Sequence, residues 1–197
     1  QPAPQKSWIS LLNNAHTQLV YPYLPLIQKR TRMRSLIIET ALIIILTLLV
    51  YLFEPQASQL LAYYHTGITQ FELWRLFTAT FCHTNFNHLA MNLLGLIITL
   101  ALFIDTFKQI NILPVIIFNS LFIGIALFFL EPQIIWYVGL SGVLHGLFSV
   151  GIVSDIANKD RWGYLLGTGF VIKITYEQIF GAQQSTIDLI GAPVLVN

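Results

Sequence analysis

The chain has 197 residues, of which 55% are hydrophobic and 10% charged, against about 25% charged in an ordinary soluble domain, and its mean hydropathy is +0.69. A net charge of +1 with no long basic run gives nucleic acid no footing, and the lone Cys82 excludes an internal disulfide or a cysteine-only metal site. The apolar residues lie in long blocks, as lipid demands of a chain that needs about 20 of them per helical span.

Residues 1–34 are polar and aromatic, with Pro2, Pro4, Pro22 and Pro25, and end in the cluster Lys29, Arg30, Arg32 and Arg34. They read as a cytoplasmic amphipathic tail on the membrane surface. The first predicted span, 35–53, holds one charge, Glu39, expected to snorkel toward the charged end. No small-residue cleavage site follows, so this is a retained helix rather than a signal peptide. The long connection 54–87 carries Phe71, Trp74, Phe77 and Phe81 and is expected in the outer interface.

Further spans are predicted over 88–104, 112–130, 134–154 and 162–180, with Pro114, Glu131-Pro132 and the polar run Asn158 to Arg161 marking boundaries. The apolar segment 187–197 is too short to cross and reads as the start of a cut sixth helix. The expected fold is an all-α integral membrane bundle, six transmembrane helices in the full protein, with residues 35–197 as one C-terminally truncated membrane domain. Of the ten Lys and Arg residues, Lys6, Lys29, Arg30, Arg32, Arg34, Lys108, Lys159 and Arg161 fall on one side of these spans, and Arg75 and Lys173 on the other. That asymmetry puts the N-terminus in the cytoplasm.

Chemistry concentrates in two places. In GLSGVLHG, residues 139–146, Gly139 and Gly142 flank Ser141 at the outer end of span four. A helix beginning near Ser141 would aim unpaired N–H groups and its dipole at an oxygen held there. Alternatively, Gly142 and Gly146 form a small-xxx-small packing face and Ser141 bonds back to its own helix. Span two opens with HTNFNHLAMN, where His83, His88 and Asn92 stand, the last two stacked on one helix face by their i, i+4 spacing. Such side chains in a membrane helix mark function or serve as interhelical glue. Lys173 and Glu177 are an i, i+4 pair that can neutralise each other. No role falls to His16, His65 or Asn119. No HExxH spacing or paired membrane aspartates appear, so serine chemistry is expected, with no cofactor and no metal.

Trp74-Arg75, the His83, His88 and Asn92 pattern and GLSG around Ser141 together resemble the rhomboid family of intramembrane serine proteases, in matching order and spacing across spans one to five. The resemblance implies Ser141 as nucleophile, with His88, Asn92 and the Ser141 amide stabilising the oxyanion. It also implies supporting places for Gly139, Gly142, His145, His83, Trp74 and Arg75. The family's base histidine, from the sixth helix, is expected beyond Asn197. Where most rhomboids carry a tyrosine four residues after the serine, this sequence has His145, either a packing variant or a substitute base.

GLSGVLHG together with KITYEQIFG, residues 173–181, is similar to the rhombosortase branch, which processes bacterial proteins bearing a glycine-glycine C-terminal sorting helix (GlyGly-CTERM). That likeness implies substrate transmembrane helices and membrane lipids as partners, no nucleic acid, and a multi-pass place in the bacterial inner membrane. Two other readings stay open: a rhomboid-like protein that binds client helices without catalysis, and a small channel or transporter. A channel needs a polar path across the membrane, whereas the polar residues here cluster in the outer half of spans two and four.

Overall fold

The computed structural model describes residues 24–181 and the positions Thr186, Asp188, Leu189 and Gly191, with side chains from Thr31 onward. Most of the predicted tail and most of the predicted sixth helix therefore lie outside the described residues.

The first helix, α1 (Leu24–Leu52), begins upstream of the predicted span and carries the basic cluster within it. Pro25 falls in its first turn, where a missing N–H costs nothing. From Thr31 onward its buried positions are Leu36, Glu39, Ile43 and Thr47, a stripe at helical spacing. Ile38, Leu42, Ile45 and Leu49 stay exposed on the other faces. Glu39 does not snorkel: it is 8% exposed, and its Oε2 accepts the N–H groups of Ile112 at 2.7 Å and Leu113 at 3.2 Å. A helix start with free N–H groups offers a buried carboxylate more than distant water does.

The connection after α1 is ordered throughout. It runs through α2 (Gln56–Leu61), strand β1 (Tyr63–Tyr64), α3 (His65–Thr69), α4 (Arg75–Thr78) and a 3₁₀ turn, Ala79–Phe81. Trp74 and Arg75 clamp it. Arg75 Nη1 donates to Ala62 O and Nη2 to Gln59 O, both at 2.9 Å, while Nε meets Glu72 at 2.5 Å. Trp74 Nε1 donates to Leu60 O at 3.0 Å. The planar guanidinium suits this fork of acceptors.

Helix α5 (Phe86–Leu102) is followed by the short α6 (Ile104–Phe107), then α7 (Ile112–Leu130), β2 (Trp136–Tyr137), α8 (Ser141–Ala157) and α9 (Arg161–Phe180). α8 is central and packs against α5, α7 and α9. Its buried Val143, Leu147 and Gly151 repeat every four residues, as do Ile112, Ile116, Ser120 and Gly124 on α7. One core joins Leu96 and Leu100 of α5 to Ile116 of α7 and Leu147 of α8.

α1 from Thr31 and α7 are each long and apolar enough to cross a bilayer, and α4 with α5 makes a third such unit bent by 93°. Span four starts later than predicted, at Ser141 rather than residue 134. Pro132 lies in a turn and Gly139 has a φ of +112°; between them β2 pairs with β1, Tyr63 opposite Tyr137 and Tyr64 opposite Trp136.

Candidate active site

The site is assembled where the first turns of α5 and α8 meet. Asn85 caps α5, its side-chain oxygen accepting His88 N–H at 2.8 Å, which satisfies one of the helix's orphan donors. That start places His88 and Asn92, 7% and 5% exposed, one turn apart and facing α8. Thr84 Oγ1 lies 3.1 Å from His88 Nδ1. The His83 ring stands edge-on to His88, centroids 4.9 Å apart, and its Nδ1 lies 3.2 Å from Phe81 O. His83 sits in the turn ahead of α5, where burial, with repulsion from His88 second, pushes its imidazole down to about 4.

Gly139 is the contact between the two helices. A Cβ there would lie 2.7 Å from His88 Nε2 and 3.5 Å from Asn92 Nδ2, so a side chain would displace the histidine. Its positive φ excludes most L-residues independently. Its N–H donates to Ala79 O at 3.0 Å, tying the loop to the 3₁₀ turn. Leu140 is the N-cap and Ser141 the first residue of α8. The N–H groups of that first turn have no carbonyl one turn back within the helix and lie at the positive end of its dipole.

The structure thus brings Ser141, Gly139, His88, Asn92 and His83 together. Trp74 and Arg75 are one layer away, holding the loop. Gly142 and Gly146 both face α7, meeting Ile123 and Asn119 respectively. The packing reading therefore applies to these glycines, while Ser141, first in its helix, has no turn of its own to bond back to. Asn92 Nδ2, His83 Nε2 and Asn119 Nδ2 are buried without a hydrogen-bond partner among the described residues.

His145 turns away from the Ser141 hydroxyl. Its Nδ1 lies 2.8 Å from Ser141 O, to which it donates, and Nε2 lies 3.4 Å from Lys173 Nζ. Lys173 in turn reaches Glu177 at 2.6 Å, the pairing expected from their spacing. Asn85 Nδ2 also donates to Leu189 O at 3.1 Å, so the C-terminal positions that are described return to the start of α5.

Sequence reasoning passed over Tyr137, whose hydroxyl stands beside Gly142. Its only signal was its place in the loop just ahead of GLSG. Glu39 and Asn119 were also passed over, since the helix each one meets is remote in sequence.

A family model described as a Rhomboid domain matches residues 70–192. The chain is 28% identical over 154 residues to Rhomboid-like protein 11, chloroplastic, of Arabidopsis thaliana, across 76% of this chain and 53% of that protein. It therefore spans about half the length of this curated relative. No solved structure matches.

Proposed function

We propose that this membrane protein, which belongs to the rhomboid family, is an intramembrane serine endopeptidase with Ser141 as nucleophile. The observation that carries the reading is the packing of His88 Nε2 and the unpartnered Asn92 Nδ2 against Gly139, two residues before a serine that opens a helix. Buried donors without partners are costly. Here they stand beside the loop that leads into the first turn of α8, whose N–H groups lack intrahelical acceptors, the electrostatics that a tetrahedral oxyanion needs. Thr84 Oγ1 lies 3.1 Å from His88 Nδ1; in the tautomer where Nδ1 accepts from that hydroxyl, Nε2 carries the hydrogen on the Gly139 side.

In this mechanism Ser141 attacks a peptide carbonyl of an unwound substrate helix, and the Ser141 amide, His88 and Asn92 hold the oxyanion. His145 has both ring nitrogens engaged elsewhere, which speaks against it as the base; the family resemblance implies a histidine of a sixth helix in that role. The contact of Leu189 O with Asn85 brings the described C-terminal positions beside the start of α5. The substrate is the C-terminal sorting helix of an exported bacterial protein, cut at a Gly-Gly site by hydrolysis or by transpeptidation. Glycines suit the cut because they open a helix cheaply. The rhombosortase reading rests on GLSGVLHG and KITYEQIFG and implies the bacterial inner membrane, while the Lys and Arg asymmetry of the loops argues for a cytoplasmic N-terminus.

The second reading is a client-binding protein without catalysis, favoured by the engagement of His145 away from the serine hydroxyl. Labelling of the full-length protein in detergent with a fluorophosphonate decides between them. Labelling lost in Ser141→Ala supports the protease; no labelling of well-folded wild type supports client binding.

A further inference from the structure

The loop before α8 delivers a phenol to the first turn of that helix. Tyr137 pairs in register with Tyr63. Two residues before it, Ile135 O accepts His65 N–H at 3.0 Å, and two residues after it, Gly139 N–H reaches Ala79 O at 3.0 Å. Attachments on both sides hold its backbone, so the fold decides where the ring points.

It points at Gly142, where a Cβ would lie 3.0 Å from the Tyr137 hydroxyl oxygen. Gly142 is the second residue of α8 and its N–H lacks an intrahelical acceptor. Leu140, the N-cap, supplies no side-chain oxygen. The phenol oxygen stands beside that place, close enough for the Gly142 N–H and the Ser141 side chain both to favour its ionised form. Gly142 is thereby explained twice, by Ile123 of α7 on one side and by this hydroxyl on the other.

We propose that Tyr137 is a positioning residue of the reaction centre: its phenol oxygen caps the first turn of α8 and fixes the direction of the Ser141 hydroxyl. The proposal rests on Ser141 being the nucleophile. A hydroxyl hydrogen-bonded to a fixed phenol keeps one χ1 rotamer of three, and its hydrogen turns to the base when that group comes within reach. The nucleophile is then oriented before substrate arrives, which is where positioning gains rate. Burial pushes the phenol up from its ordinary value, so Tyr137 stays protonated and keeps its own O–H to give.

Tyr137→Phe in the full-length protein removes one oxygen and keeps the ring. Fluorophosphonate labelling of Ser141 is expected to slow by roughly five- to tenfold, one hydrogen bond's worth, in protein that remains folded. Wild-type labelling rates in Tyr137→Phe overturn the proposal and leave the serine reading intact. No labelling of the wild type means that the protease reading has failed and that Tyr137 positions no nucleophile. A second measurement needs no activity: 3-fluorotyrosine at position 137, titrated by fluorine NMR with and without Ser141→Ala. Loss of the serine donor should move the ionisation of the ring to higher pH, and identical titrations overturn the proposal.

Discussion

The carboxylate of Glu39, on α1, accepts the backbone N–H of Ile112, at the start of α7, across 2.7 Å and 73 residues of sequence. The same oxygen takes Leu113 N–H, and Ser35 donates to the other at 2.8 Å. Glu39→Ala leaves two N–H groups unpaired in a buried place and is expected to destabilise the protein by about 1–3 kcal/mol. Glu39→Gln keeps one acceptor and should lose less. Thermal unfolding in detergent measures both, and equal losses would contradict the capping role.

Gly139→Ala is expected to abolish fluorophosphonate labelling. The added methyl occupies the place of His88 Nε2 at a φ of +112°, a conformation costing about 1–3 kcal/mol in a non-glycine residue. Because strain and clash are separate, His88→Ala in the same chain should not restore the wild-type melting temperature. Full recovery would show that the backbone tolerates alanine.

His88→Ala and Asn92→Ala should each reduce cleavage of a Gly-Gly reporter helix by about 10²–10³-fold, as loss of an oxyanion donor does. Both residues are buried, so melting temperatures have to accompany the rates. Unchanged turnover in either variant would remove that residue from the oxyanion site.

His83 makes stability depend on pH in one direction. Its imidazole titrates at about 4 in the fold, chiefly through burial, against about 6.5 in an unfolded chain. Between those values the unfolded state binds more protons, so stability falls as pH drops from about 6.5 toward 4, by at most about 1.4 kcal/mol per unit, and is level above. Unfolding midpoints of wild type and His83→Gln measured across that window should converge toward pH 4. Parallel curves would rule the histidine out as the source.

Arg75→Lys keeps the charge and loses the fork. One ammonium cannot reproduce donation to Ala62 O, Gln59 O and Glu72 together. A loss of about 1–3 kcal/mol is expected, with proteolytic nicking of the connection between α1 and α5 rising before global unfolding. Resistance to nicking equal to that of wild type would sink the clamp.

Much of this was legible because helical periodicity is local. The buried Leu36, Ile43 and Thr47 of α1, and Ile112, Ile116 and Ser120 of α7, recur at spacings of four and seven, within apolar blocks whose length alone announced the helices. Four residues between His88 and Asn92 place them on one face wherever the helix goes, and GLSG announced a serine beside flexible backbone. The start of α8 was misplaced because residues 134–138 are as apolar as a helix, and only pairing with Tyr63 and Tyr64, more than seventy residues earlier, makes a strand of Trp136-Tyr137. Tyr137 was missed for the same reason, and Glu39 because no local pattern shows which helix start lies beside a carboxylate.

The late start of α8 also sets a depth. Its 17 residues extend about 25 Å at the helical rise, while the hydrocarbon of a bilayer is about 30 Å thick. Thr106 Oγ1 meets Ser154 Oγ at 2.8 Å, anchoring the far end of α8 beside α6 and Lys108. Set upright in a bilayer from that basic rim, a helix of this length would end about 5 Å short of the opposite headgroups, with the oxygen on its first residue still among lipid tails and water reaching it only from that side.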